Sequence, residues 1–166
     1  GSMEKRYLDT GHNSSGPLRG RKLDTWEGGH RVPFVIRWPG VTSPGSVSDA
    51  LISQIDLMAT FAAAFDYQLP KGQAEDSINM MPVLRDQAEN PRDILVHNNK
   101  LWGIRKGDWV LLERPKDGRA DYLAANKFPK VQEGSDVLFN LSEDLGQRVD
   151  LLKKHPEKAA QLREML

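Results

Sequence analysis

Apolar residues along this chain gather in short, well-separated clusters, and their spacing predicts the elements. Val32 to Trp38 (Val-Pro-Phe-Val-Ile-Arg-Trp) is dense enough for a buried strand. Pro33 lies near its start, where a missing N–H is tolerated. Pro39-Gly40 and Pro44-Gly45 mark turns, so 39–48 is a connection. From Ser53 to Phe65 the apolar positions Ile55, Met58, Ala59, Ala62 and Phe65 recur at three- and four-residue steps, which predicts a helix. Ser53 is its expected N-cap, with Asp56 in the first turn complementing the dipole. Met80 to Leu84 reads as one helical turn.

Beyond residue 90 the pattern changes to short strands: Ile94 to Val96, Leu101 to Arg105, Trp109 to Glu113 and Val137 to Leu141. Lys106-Gly107-Asp108 turns a hairpin between the second and third. Residues 114–134 read as irregular, with a turn at Lys116-Asp117-Gly118. Pro156 to Leu166 reads as a helix with Pro156 at its first position and His155 as its cap. Residues 4–10 suit the last turn of a helix ended by Gly11. The fold class expected is α/β (α+β): the edge of a large sheet with a covering helix, then a small antiparallel sheet packed by a terminal helix. A soft boundary falls near residue 90, giving parts 4–90 and 91–166. Gly1 to Met3 reads as a cleavage scar followed by a start methionine.

Composition narrows the chemistry. The 166 residues carry 23 Lys+Arg, 23 Asp+Glu and no cysteine. A formal net charge of zero argues against a nucleic-acid-binding module. Without cysteine there is no disulfide scaffold, thiolate zinc site or cysteine nucleophile. No run approaches the length of about 18 apolar residues that a membrane helix requires. The charge is nevertheless uneven. Between Gly11 and Arg37, Arg19, Arg21, Lys22, Arg31 and Arg37 stand against Asp24 and Glu27, a net of three positive charges, with His12 and His30 beside them. Glycine lets backbone N–H groups approach a ligand, so this loop suits a tetrahedral oxyanion. Charge alone fits phosphate, sulfate and sulfonate equally, and also fits a solvated basic loop.

The order of residues is more specific. Gly16-Pro17-Leu18-Arg19-Gly20-Arg21-Lys22, then Asp24-Thr25-Trp26-Glu27-Gly28-Gly29-His30-Arg31-Val32-Pro33-Phe34, then Arg37-Trp38-Pro39-Gly40, resembles the second signature region of type I sulfatases. These are the formylglycine-dependent members of the alkaline phosphatase superfamily. Ser53 to Thr60, Met80 to Leu84, Trp102 to Leu112 and Leu138 to Asp144 resemble later segments of the same enzymes, so the likeness extends over the chain after residue 11.

The resemblance implies a sulfuric ester hydrolase of which this chain is a C-terminal portion. Lys22 matches the family lysine that contacts the sulfate ester, where an ammonium neutralises nonbridging oxygens and charge developing on the leaving oxygen. His12 resembles a histidine near the substrate in some members, suited to binding hydroxyls or protonating the leaving group. Arg19 and Arg21 are placed beside them as substrate-binding candidates or as partners of acids. Glu27 and Arg31 are expected to pair and fix the turn, and His30 to pack. His97 and Asn98 follow a strand within reach of a cleft.

Calcium and formylglycine are implied for the whole enzyme. Its nucleophile motif is absent here, and Asp9-Thr10-Gly11 lacks the asparagine of the family's ligand motif, so no metal ligand is assigned to this chain. It is expected to be inactive alone. The alternatives are a noncatalytic domain or fold remnant, and a phosphatase or phosphonate-ester hydrolase of the same superfamily. The expected partner is a sulfate ester, with neither nucleic acid nor membrane, and a homodimer is possible through the apolar face of the 32–38 strand. The residues leave the compartment open, and the resemblance alone implies a periplasmic or secreted one.

Overall fold

The computed structural model describes residue 10 and residues 12–86, 90–99, 101–117 and 120–166. Expectations about residues 4–9, Gly11 and Gly118 lie outside them. The described part forms two compact units. One combines the chain up to Val32 with Val96–Leu166; the other is Pro33–Leu95.

The first unit is built on a four-stranded sheet in the order β1-β2-β3-β4, with β1 at Ile94–Asn99, β2 at Leu101–Lys106, β3 at Trp109–Leu112 and β4 at Val137–Asn140. The expected hairpin at 106–108 forms, pairing Lys106 with Trp109 and Gly103 with Leu112 in antiparallel register. β3 and β4 are likewise antiparallel, from Trp109 opposite Asn140 to Leu112 opposite Val137. One face of these strands carries Val110, Leu112, Val137 and Phe139, which join Leu141 and Trp26 in a buried apolar cluster. Trp26 packs against Phe139 at 5.7 Å between ring centroids and donates its indole N–H to Lys116 O at 3.1 Å. That bond satisfies the one polar atom the burial of this ring would otherwise strand. Trp26 belongs to the N-terminal loop, so the loop contributes to the core of the sheet.

The terminal helix packs on β2 and β3 through Ala159 and Leu162, both buried. It spans Pro156–Arg163, and His155 holds the N-cap position without a side-chain capping bond. The His155 ring instead meets Trp109 edge-on at 5.2 Å. A second helix, Ala120–Asn126, lies in the stretch read from sequence as irregular. Its seven residues are too few for periodicity to stand out. Tyr122, Leu123 and Phe128 form a small buried cluster there.

The second unit departs further from expectation. Val32 to Trp38 is extended but is not a strand, and it is exposed: Val35 keeps 93% of its surface and Val32 61%. Among the described residues, no backbone hydrogen bond joins 32–37 to another segment. A strand exists only where a neighbour accepts its N–H and C=O groups. The sequence supplies the propensity, and these residues supply no partner.

The predicted helix forms over Asp56–Ala64. Ser53 does not cap it through its hydroxyl; Asp56 reaches back and accepts the Ser53 N–H at 2.8 Å. The helix is also turned inside out. Asp56 and Thr60, one turn apart, are fully buried, whereas Ile55, Met58, Phe61 and Phe65 are exposed. Arg92 explains the inversion. It is buried too, and its guanidinium grips the Asp56 carboxylate through Nε at 2.8 Å and through Nη2, then donates to the carbonyls of Asp76 and Ile94. Asp56 also accepts the Ile78 N–H, and Thr60 Oγ1 accepts the Met80 N–H, which leads into the short helix Met81–Leu84. Burial pushes the Asp56 pKa up, but Arg92 and the two backbone N–H groups outweigh it and hold the carboxyl below its usual range.

Candidate functional site

The basic, glycine-punctuated loop resolves into a rigid piece. A short helix, Glu27–His30, sits at its centre. Gly28 and Gly29 are there because the chain folds back on itself. A Cβ on Gly29 would stand 2.1 Å from Asp24 O, and one on Gly28 would stand 2.4 Å from Gly20 O. Their N–H groups are occupied within the fold, Gly28 N–H by Arg19 O at 2.7 Å and Gly29 N–H by Trp26 O at 2.7 Å. Gly20 N–H goes to the Tyr122 hydroxyl at 2.8 Å. This corrects the expectation that these glycines present N–H groups to an oxyanion. They permit close backbone packing.

Arg19 takes the second of the two roles expected of it, partner of an acid. Its side chain is buried, stacks 4.0 Å above the Trp26 ring, and is spent on the fold. Nη2 pairs with Asp117 at 2.5 Å and donates to Pro129 O, while Nη1 donates to Gln147 O at 3.0 Å. Burial lowers its pKa, and Asp117 opposes that shift. The guanidinium is enclosed by the fold and held through both Nη atoms, while its buried Nε has no hydrogen-bond partner among the described residues. Arg21 is half-buried with its guanidinium 5.1 Å from the Tyr122 ring centroid, a cation–π contact.

The Glu27–Arg31 pair forms as expected, at 2.5 Å, and His30 Nε2 stands 3.5 Å from the other Glu27 oxygen. Burial alone would raise the Glu27 carboxyl. His30 and Arg31 outweigh it and hold the group at about 2. The Glu27 N–H donates to the side-chain oxygen of fully buried Gln147 at 2.9 Å. Gln147 therefore ties together Arg19 and Glu27, the two buried charges of the loop. Nothing in its sequence context distinguished it, because an amide linking segments 120 residues apart leaves no local pattern.

Lys22 stands apart from this network. It lies at the exposed tip of a turn that Asp24 closes, with Asp24 N–H donating to Arg21 O at 2.9 Å and Asp24 Oδ2 accepting the Arg21 N–H at 2.9 Å. Among the described residues its ammonium has no ion-pair partner. His12 is exposed on the approach to the same loop. Asn13, next to it, donates to Asn126 at 2.9 Å and so ties this approach to the Ala120–Asn126 helix. Among the described residues no three His, Asp or Glu side chains converge to hold a metal ion. No described helix is long and apolar enough to cross a membrane.

Solved structures share this arrangement of a loop docked on a small antiparallel sheet with a terminal helix. A chain from glycosaminoglycan metabolism in Bacteroides thetaiotaomicron matches at a TM-score of 0.78 and 30% identity, covering 94% of this chain and 32% of that one. Ps i-CgsB in complex with k-i-k-neocarrahexaose matches at 0.72 and 29%, covering 95% and 33%. Among curated proteins, an N-acetylgalactosamine-6-O-sulfatase of Bacteroides thetaiotaomicron is 34% identical over 161 residues, 94% of this chain and 30% of that protein. Arylsulfatase G of Homo sapiens is 33% identical over 150 residues, 87% and 29%. The Sulfatase family model matches residues 4–67, which extends the likeness upstream of residue 11. The chain belongs to the sulfatase family, and it spans about a third of the length of the relatives it matches.

Proposed function

We propose that this chain supplies the lysine loop of a sulfate-ester hydrolase, with Lys22 as the cation that meets the ester's nonbridging oxygens. One contrast carries this reading. Arg19, Glu27 and Arg31 are all paired within the fold, whereas Lys22, on the same loop, is exposed at its tip with no ion-pair partner among the described residues. An ammonium there offsets negative charge developing on the leaving oxygen. His12 is the second candidate, within the same approach, for a substrate hydroxyl or the leaving group. Arg21 precedes Lys22 in the chain, with its guanidinium over the Tyr122 ring.

Calcium and formylglycine belong to the reading of a whole sulfatase. The described residues offer no set of ligands for the one and the sequence no cysteine for the other, so no step is derived through either. In this reading the chain by itself is inactive. The exposed apolar residues Val32, Phe34 and Val35 on the unpaired 32–38 segment support association of two copies through that segment.

Titration of the whole chain with inorganic sulfate at low ionic strength, followed by the Lys22 side-chain NMR signals, tests the reading. A saturable shift that Lys22→Met abolishes is expected. No response in the wild-type chain, or turnover of an aryl sulfate by this chain alone at the rate of a whole enzyme, defeats it.

A further inference from the structure

The turn that carries Lys22 is gripped from one side by the edge strand of the sheet. His97 and Asn99 lie two residues apart on β1 and therefore on the same face. Both reach back to the loop. His97 Nε2 is 3.0 Å from Thr25 O, and Asn99 Nδ2 donates to Leu23 O. The two carbonyls are also two residues apart, so the side-chain spacing of the strand matches the carbonyl spacing of the loop. The His97 ring is fixed on both sides. It stacks on His30 with centroids 4.1 Å apart, and it occupies the space above Gly103, where a Cβ would stand 2.4 Å from Nε2.

Leu23 shows what the grip maintains. Its φ is +78°, in the left-handed region that bulky residues avoid, and its side chain is 63% exposed. No gain from burying the leucine offsets that strain. The Asn99 bond to the Leu23 carbonyl adds an anchor from outside the turn to the two Arg21–Asp24 bonds that close it from within. Were Leu23 to return to ordinary φ, the chain direction at Lys22 would change with it.

We infer that His97 and Asn99 are positioning residues, which hold the Lys22–Leu23 turn in the conformation that presents the ammonium. This rests on the reading of Lys22 as the sulfate-contacting cation. Neither residue is assigned contact with the substrate. His97 acts as a donor from Nε2, since only a protonated nitrogen can face the Thr25 carbonyl, and its buried Nδ1 has no partner. Burial first, and the neighbouring His30 second, keep the ring neutral down to about pH 4.

Two measurements on the whole chain test the inference: the NMR coupling and Cα shift that report the sign of φ at Leu23, and the affinity for inorganic sulfate read at Lys22. Asn99→Ala and His97→Phe are expected to lose the left-handed signature of Leu23. Sulfate binding should weaken on the order of five- to tenfold, the size of one lost hydrogen bond. His97→Phe retains a ring for stacking, and His97→Gln, which keeps an amide donor, should recover most of the affinity. A purely structural role would lower the thermal midpoint and leave both signals unmoved. If the wild-type chain responds to sulfate while Asn99→Ala and His97→Phe keep its Leu23 signature and affinity, the positioning role is overturned alone. If the wild-type chain shows no response at Lys22, the sulfate reading fails and takes the positioning role with it.

Discussion

The two units solve the same problem in opposite ways. The sheet unit buries aromatic and aliphatic side chains, with Trp26, Val110, Val137 and Phe139 each no more than 1% exposed, and keeps its charges at the periphery or paired around Gln147. The Pro33–Leu95 unit buries Asp56, Thr60 and Arg92 and turns Met58, Phe65 and Val35 outward. The first is stabilised by removing apolar surface from water, the ordinary driving force of folding. The second buries Met80 and Met81 but places an ion pair and its hydrogen bonds at its centre. A buried pair specifies a geometry more than it contributes net stability, because desolvation offsets most of the attraction. The unit is thus precisely shaped yet rich in uncovered apolar surface.

The sharpest way to break the comparison is at that pair. Asp56→Ala leaves Arg92 buried without its carboxylate, and a loss of about 3–5 kcal/mol is expected. The double variant Asp56→Leu with Arg92→Met should recover much of it, because no uncompensated charge then remains. Urea denaturation followed separately by signals from each unit checks both. A loss below about 1 kcal/mol for Asp56→Ala would show that the pair does not organise its unit.

Acid separates the units by where they begin to weaken. His97 has an ordinary value of 6.5 and a folded value of about 4. Between these the unfolded chain takes up a proton that the folded chain does not, so stability is full above 6.5 and is lost as pH falls towards 4. Glu27, lowered from 4.5 to about 2, continues the loss over that lower range. The groups concerned face one another: His30 stacks on His97, and Arg31 and Arg105 act on Glu27 from the loop and from β2. Asp56 is also lowered, from 3.8, so its contribution begins to be lost only as pH falls through that ordinary value. The sheet unit should therefore lose stability first, starting near pH 6.5, and His97→Gln should remove that upper part. Simultaneous onset in both units, unchanged by the variant, would count against this.

Much of the sheet unit was legible because its signals are local. The hairpin at 106–108, the strands around it and the proline-led terminal helix each rest on residues within a few positions of one another. The lysine at the loop tip was legible through an ordered string of residues that resembles a family signature. What escaped has one physical character: contacts between distant segments. Arg19 reads as a loop cation until Asp117, Pro129 and Gln147 are brought around it. Asn99 and Tyr122 look unremarkable until they close on Leu23 and Gly20. The inward face of the Asp56–Ala64 helix was not legible for a different reason. Periodicity identifies which residues share a face but not which face is inward, and a single buried arginine reversed it.

The smallest expected effect bears on that reversed face. Phe65 and Val35 are 77% and 93% exposed, so replacing either with serine removes almost no buried contact. The change in unfolding free energy should stay within about 0.5 kcal/mol, the usual range for surface substitutions. Self-association should respond much more, because exposed apolar side chains beside an unpaired extended segment are what a second copy would cover. Sedimentation of the wild-type chain is expected to show a concentration-dependent dimer, weakened by Val35→Ser on the extended segment and less by Phe65→Ser on the helix. Equal weakening by both would move the contact from the segment to the helix. A monomer at every concentration would show that this chain leaves its apolar face in water, and that the polar hub of Asp56 and Arg92 is sufficient to keep the unit folded without a cover.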